Sequence, residues 1–599
     1  MNRTDKLIVA LLFLALMGWL WYSNELSRKA HERELTEQAA AAAVATNTAV
    51  AATIAAVPAS APSVTPAGST AAVTAVAAEH LLPEETNLLH ASDMNLLISS
   101  RGATLRAATL PDYRARPAKN SAPVILDFDP QPALALSGLP GVPVDADYSM
   151  HASASNVMQL SFVTRQGLRV ERTLTLRAHH ELLVTDRISN TSEIPLMVGT
   201  NWITLGTMYR GDSKNDELSV DSYARSSDDK VRHWSSALPG LFGGGGTFGC
   251  LGAGRPLSDN AMQVVTGGQH WVALKSRFFV QALAPDASCT GFRLEAVRDT
   301  SKPAVVLSHV SAAVAFPGGL LTQGQALEHS YQLYIGPKKL AYLTALGESR
   351  NEIMEFGFFS WFCKPLVPLL NFFYKLIPNY GVAIILLTLL VRIVFWPLTH
   401  KSTESAKRMR DVQPKIKAIQ EQFKDEPHKL QQEIWQVYRE NKVNPFSSCL
   451  PMLVQLPVFI ALYTVLRSAI ELRFAPFLWV VDLSEPENLL SGVIPLAPNF
   501  ALNILPLVMA AVTILQSKLT PAMGDPAQQK MMTWMMPLMM LFFFYSMPAA
   551  LSLYWTVSTI LAIVQLWWQQ RTPRAEVAAA VAAAEPEKMT RQMRRHMER

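Results

Sequence analysis

Three kinds of hydrophobic patterning succeed one another along this chain, and each predicts a different structure. The first is an unbroken apolar run, LIVALLFLALMGWLWY (residues 7–22), behind Arg3 and Lys6. It passes into charged sequence with no small-x-small site beside it, which predicts an uncleaved membrane anchor over residues 1–24 rather than a removed signal peptide. The second texture fills residues 85–345. In GLRVERTLTLRAHH, Leu168, Val170, Leu174 and Leu176 alternate with polar residues at the strand period of two. MNLLISSRGATL, HWVALKSRFFVQAL and HSYQLYIG also read as strands, and helical spacing is nearly absent. This predicts a large antiparallel β domain, a β-sandwich. In the third texture, residues 356–570, apolar runs return at about 381–398, 450–470, 501–516, 532–546 and 551–568. They predict a five-helix membrane core, its third and fourth spans near the lower length for crossing. With the anchor, the expectation is an α-helical polytopic protein of six transmembrane helices carrying a β-sandwich domain.

The segments between these textures have their own signatures. Residues 25–84 form a linker whose stretch 38–78 holds Ala, Thr, Val, Pro and Ser without charge or period, a composition suited to a flexible tether. The tether and the separate β core together predict an independently folding external unit. FFSWFCKPLVPLLNFFYKLIP (358–378) is aromatic but interrupted by Lys364, Pro365, Pro368 and Lys375, so it predicts a helix lying in the membrane interface. Over 401–442, Met409, Val412, Ile416, Ile419 and Phe423 are spaced 3, 4, 3 and 4, and Leu430, Ile434 and Val437 resume the seam after KDEPHK. That is the pattern of an antiparallel helical hairpin, its first arm about 33 Å long.

Composition agrees with a membrane protein: of 599 residues, 49% are hydrophobic and only 17% charged. Charge then sets orientation. The 400–446 loop holds ten Lys/Arg, the 517–530 loop two and the tail from 571 to 599 seven, whereas 471–500 holds only Arg473 against four acids. Both termini are therefore expected in the cytoplasm and the β domain outside. Cys250, Cys289, Cys363 and Cys449 show no metal-ligand or CxxC spacing, and only Cys250 and Cys289 share an extended soluble region where they could pair.

No catalytic set is visible. The five spans carry no Asp, Glu or His, and no HExxH, GxSxG or Walker sequence occurs, so neither an enzyme nor a cofactor or metal is expected. What stands out is Arg392, one of two charged residues in those spans; the other, Arg467, lies near an external end and can snorkel. A charge at the bilayer centre costs roughly 2.5–3.5 kcal/mol on insertion scales. Arg392 leans toward its helix N-terminus, away from the cytoplasm, which favours an inward-facing, hydrated role over snorkelling. Thr388 shares its face. Gln455 on the second span, and Ser552, Tyr554, Ser558 and Gln565 on the fifth, are the remaining notable polar groups, and MMTWMMPLMM (531–540) packs six methionines into ten residues.

TLLVRIVFWPLT, the hairpin, KVNPFSSCLPMLVQLPVFIALY and DPAQQKMMTWMMP follow one another in an order and spacing that resemble the YidC family of membrane protein insertases. The anchor and external domain, with SRGATLRAATLPDY and YIGPKK, resemble its Gram-negative branch, whose domain is periplasmic. The resemblance implies a protein of the bacterial inner membrane that moves hydrophobic segments of nascent membrane proteins into the bilayer, alone or with the Sec translocon. It also implies a hydrophilic groove open to the cytoplasm and to membrane lipids. Arg392, Thr388 and Gln455 match the groove positions. Tyr554 and Trp555 match the aromatic pair beside nascent chains, with Trp555 a departure from the family's frequent Tyr. The basic hairpin and the tail TRQMRRHMER would hold a ribosome through phosphates. A secondary transporter is opposed by the lack of internal repeats. A membrane-anchored periplasmic scaffold is opposed by a deep arginine on a five-span core.

Overall fold

The structure is a computed structural model describing residues 83–571, apart from 119, 212–215, 225–230, 236–254, 258–261, 287–288, 300–305, 424–425, 442–449, 490–500 and 521–525. The anchor, the tether, the glycine run 241–246, Cys250, Cys449 and the basic tail lie outside the described residues.

The β region forms a ten-stranded sheet, a five-stranded sheet and two smaller sheets of four and two strands. Its strands run from Thr86–His90 to Ala326–Pro337. Among the described residues every pairing is antiparallel except that of Val231–Ser235 with Arg255–Pro256. Leu174, Val184, Leu283 and Leu333 of the ten-stranded sheet share one core with Ile203, Phe292 and Val314 of the five-stranded sheet. The buried Arg172 beside that core is well partnered. Arg172 forks onto Asp186 through Nε (2.6 Å) and Nη2 (2.8 Å), and its Nη1 donates to the carbonyls of Ala103 and Leu134. A buried guanidinium is tolerable only with such complete hydrogen bonding.

The ten-stranded sheet has a second apolar face. Along Gln269–Lys275 and Phe279–Pro285, Val272, Leu274 and Leu283 enter the inter-sheet core. Their neighbours Trp271, Ala273, Val280, Ala282 and Ala284 pack into the helical core with Ile353, Phe356, Cys363, Leu462 and Tyr554. A strand buried on both faces reads as a continuous apolar run, which is why HWVALK lacks clean alternation. The external unit is therefore not separate from the helices, as composition suggests: one face of its largest sheet is part of their core.

The described helices are α1 (Leu340–Ala345), α2 (Ser360–Leu376), α3 (Tyr380–Gln422), α4 (Pro427–Glu440), α5 (Leu450–Ser468), α6 (Ile504–Leu519), α7 (Pro526–Phe544) and α8 (Ala549–Arg571). Asn379 starts α3 by accepting from the amide of Val382 (3.2 Å). The helix then runs 43 residues, so the first hairpin arm continues the span without a break. Val412 and Ile416 of α3 and Val437 of α4 are buried together, flanked by Ile419 and Ile434, which places the 3,4 seam between the two arms. Within the described residues Tyr380–Pro397 and Ala549–Trp568 are long and apolar enough to cross a bilayer, and Ile504–Leu519 and Thr533–Phe544 are shorter apolar helices.

Ionic contacts fix the sheet to the helices. Arg277, buried beside the sheet, donates from Nε to the carbonyl of Arg467 (2.8 Å) and from Nη2 to that of Ser484 (2.5 Å), and pairs through Nη1 with Glu485. Arg467, near the external end of its span, meets Glu217 of the β domain through Nη2 at 2.7 Å. Lys275 pairs with Asp221 and, at 3.0 Å, with Glu355 of the connector into α2, while His233 Nδ1 lies 2.5 Å from both carboxylates. Asp221, His233 and Glu355 have the donor types of a metal site, but the Lys275 ammonium already pairs with both carboxylates.

Candidate functional site

On α3, Thr388, Arg392, Phe395 and Thr399 are spaced 4, 3 and 4 and so share one helix face. On α8, Tyr554, Ser558 and Gln565 do the same. Arg392 contacts Ser558 and Thr399 contacts Gln565, both pairs 166 residues apart, so the two helices run parallel in constant register. The result is a polar seam in an apolar bundle.

Arg392 donates to the Ser558 hydroxyl from Nε (3.1 Å) and Nη2 (2.8 Å), and to the Ser558 carbonyl from Nη2 (2.7 Å). Among the described residues no carboxylate forms an ion pair with it. One end of the seam is closed by Gln455 of α5, whose Nε2 donates to the Tyr554 hydroxyl at 2.7 Å. Thr388 is buried and returns its proton to the carbonyl of Ile384 (2.7 Å). Toward the other end Gln565 Nε2 donates to Thr399 Oγ1 at 3.0 Å. Thr388, Arg392, Thr399, Gln455, Tyr554 and Ser558 line one cleft, together with Val391, Phe395 and Val458. Its free space is about 10 Å³, room for about one water.

The missing acid suggests that water solvates Arg392; within the protein, the hydroxyl and carbonyl of Ser558 on α8 accept from its Nε and Nη2. Trp555 does not line the cleft. It lies one residue, and so about 100° of helix turn, from Tyr554, and packs edge-on against Phe459 (5.3 Å) and Phe544 (5.5 Å). Thr388, Arg392, Gln455 and Tyr554 are thus brought together, and Trp555 occupies the adjoining face. Thr399 escapes a reading of polar residues one by one; the signal is its seven-residue spacing from Arg392.

Comparisons with known proteins place the whole chain. Residues 372–576 match the family described as 60Kd inner membrane protein, and residues 89–223 and 254–369 match the YidC periplasmic domain. A membrane protein insertase YidC of Pelobacter propionicus is 33% identical over 484 residues, 78% of this chain and 83% of its own length. That of Syntrophobacter fumaroxidans is 39% identical over 303 residues, covering 50% of this chain and 53% of its own. The crystal structure of an active YidC insertase with its first transmembrane domain resolved is 17% identical and has a TM-score of 0.33, covering 82% of this chain and 93% of that one. On its two domain matches and the long alignment with the Pelobacter protein, this chain belongs to the YidC family, the membrane protein insertases of the inner membrane.

Proposed function

We propose that this insertase receives its clients at Arg392. The observation that carries this is the arginine's partner: a serine and its carbonyl, and no acid among the described residues. Both are neutral acceptors, and a charged acceptor makes a stronger hydrogen bond. A carboxylate on the flank of an incoming segment can therefore displace Ser558, opening the seam between α3 and α8 as it enters. Each charge spared the bilayer centre lowers the barrier by roughly 2.5–3.5 kcal/mol. The apolar part of the client then leaves into lipid past Trp555 and the exposed Trp534, Met535, Leu538 and Met539 of α7, driven by burial of its own side chains.

Around this site we place six spans, counting the anchor, with both termini cytoplasmic and the β domain in the periplasm; the lysine and arginine bias of the loops supports that orientation. The basic hairpin and tail suit the phosphates of a ribosome, and the Sec translocon is a partner for clients too long to enter alone. The test is insertion into proteoliposomes without nucleotide. A small client with an acidic N-terminal tail is expected to insert with the wild-type protein and to lose most of that with Arg392→Ala, while a neutral-tailed version loses less. Equal loss for both tails removes the electrostatic role.

A further inference from the structure

The loop after α5 carries a feature that the cleft does not use. Phe477 and Val480 close a two-residue turn by reciprocal backbone hydrogen bonds (2.9 and 2.8 Å). At its tip stand Leu478 and Trp479, followed by Val481, with exposures of 76%, 43% and 60%. Tight turns of this kind favour Gly, Asn or Asp, because a residue there has positive φ. Leu478 has φ of 52° and no polar atom to repay it. Local backbone preference therefore does not explain the choice of an apolar tip, and neither does packing among the described residues.

The turn's position shows what covers it. Phe477 sits on Gly381 in the first turn of α3, so closely that a Cβ there would come within 2.0 Å of the ring. Trp479 Nε1 donates to Glu487 Oε2 (2.9 Å), and the same carboxylate receives the amides of Ile504 and Leu505 at the start of α6. The turn is thus tied to the first turns of two apolar helices that begin on one side of the bilayer. Asp482, the acid that follows the turn in sequence, accepts from the amides of Phe474 and Ser484. An apolar tip with an indole, at the level where spans begin, is the composition of a membrane interface. Three side chains are also far too few for a specific protein interface, which buries about 800 Å² on each partner.

We infer that Leu478, Trp479 and Val481 form a finger that dips into the outer-leaflet phospholipid interface and fixes the height of α3 and α6. The inference rests on the reading of α3, α6 and α8 as spans, so the experiment tests the two separately. An environment-sensitive fluorophore is attached at Leu478→Cys in a chain whose native cysteines are serine, reconstituted in phosphatidylcholine–phosphatidylglycerol vesicles. Ile560→Cys within α8 and Val264→Cys in the five-stranded sheet, which the ten-stranded sheet separates from the helices, serve as references. The expected result is blue-shifted emission at 478 with stronger quenching by shallow than by deep spin-labelled phospholipid, deep quenching at 560 and an aqueous spectrum at 264. An aqueous spectrum at 478 with 560 in lipid overturns the finger, also where a blue shift appears only after membrane extract is added, which would mean a protein partner. An aqueous 560 instead overturns the spans. Because Cys289 and Cys363 are buried, a second measurement leaves the cysteines alone. Brominated phospholipid should quench the wild type more than Trp479→Phe, and equal quenching again counts against the finger.

Discussion

Arg392 and Ser558 are joined by three hydrogen-bond contacts across two parallel helices, and they lie 166 residues apart in the chain. The arrangement shows how a charge is held in an apolar bundle when no carboxylate among the described residues pairs with it. The hydroxyl and the carbonyl of one residue answer the guanidinium from one side. Among the described residues no carboxylate compensates its positive charge, which is the basis for proposing that it receives an anionic client.

Ser558→Ala removes the hydroxyl and leaves the carbonyl. Losing a hydrogen bond to a charged group costs roughly 1.5–3 kcal/mol, enough to let the guanidinium wander from the cleft. Insertion of an acidic-tailed client is expected to fall several-fold, with normal protein levels, and Ser558→Thr should restore most of it. Unchanged insertion by the alanine variant would mean that the serine is not what positions Arg392.

Arg392→Lys should retain part of the activity for acidic-tailed clients. An ammonium keeps the charge but cannot reproduce the fork from Nε and Nη2 onto one hydroxyl. The expected order in proteoliposomes is wild type, then lysine, then alanine. A lysine variant no better than alanine would make geometry, not charge, the essential property.

How much of this was legible in the sequence depends on how local each signal is. Leu168 to Leu176 alternate because one face of their strand meets the core, and the period of two shows it. Val272 and Trp271 point to opposite faces that are both buried, so no period survives and the docking of sheet on helix leaves no trace in the pattern. The seam of Val412, Ile416 and Val437 is written in 3,4 spacing. The pairing of Arg392 with Ser558 is not, because nothing in either helix says which neighbour it faces. Arg277 is the extreme case: its partner Glu485 lies 208 residues away.

The contact of Arg277 with the helices predicts a local, measurable loosening. Arg277→Ala leaves Glu485 without its partner and frees the carbonyls of Arg467 and Ser484. Amide hydrogen exchange in 470–489 should quicken, with Arg277→Lys intermediate, while strands remote from the junction keep their protection. Uniform quickening through the β domain would indicate global destabilisation instead.

The junction at Glu355 should depend on pH. Burial alone would lower the pKa of His233, but Glu355 and Asp221 outweigh it and carry it up to about 9. Burial would raise that of Glu355, yet Lys275 and His233 hold it well below the usual carboxylate range. The imidazolium contribution is therefore full below the ordinary histidine value of about 6.5 and is lost as pH rises through about 9. The Glu355 contribution is present above the ordinary carboxylate value and is lost only in strong acid. Lys338, pushed down to about 8 by burial and Lys275, acts in the opposite sense. Comparing thermal unfolding of wild type and His233→Gln therefore isolates the imidazole. Their difference should shrink steadily as pH rises between those two histidine values, and a difference independent of pH would mean that the histidine is neutral in the folded protein.

The last prediction concerns the resting cleft. Thr388 and Tyr554 are each 1% exposed, and the space between them and Arg392 is about 10 Å³. A polar maleimide added from the cytoplasmic side should therefore react slowly with Thr388→Cys in the idle protein. Reaction at Gln455→Cys should be faster, because that side chain is only half-buried and its removal also frees the Tyr554 hydroxyl. Labelling at 388 should accelerate when a stalled acidic-tailed segment is present, since displacing Ser558 parts α3 from α8. A photo-crosslinker at Trp555 should capture that segment, and one at Tyr554 should not until the seam opens, because the two residues face different directions. Fast labelling at 388 without a client would show that the groove stands open at rest. In that case Ser558 competes with water for the guanidinium, and the client displaces water rather than the serine.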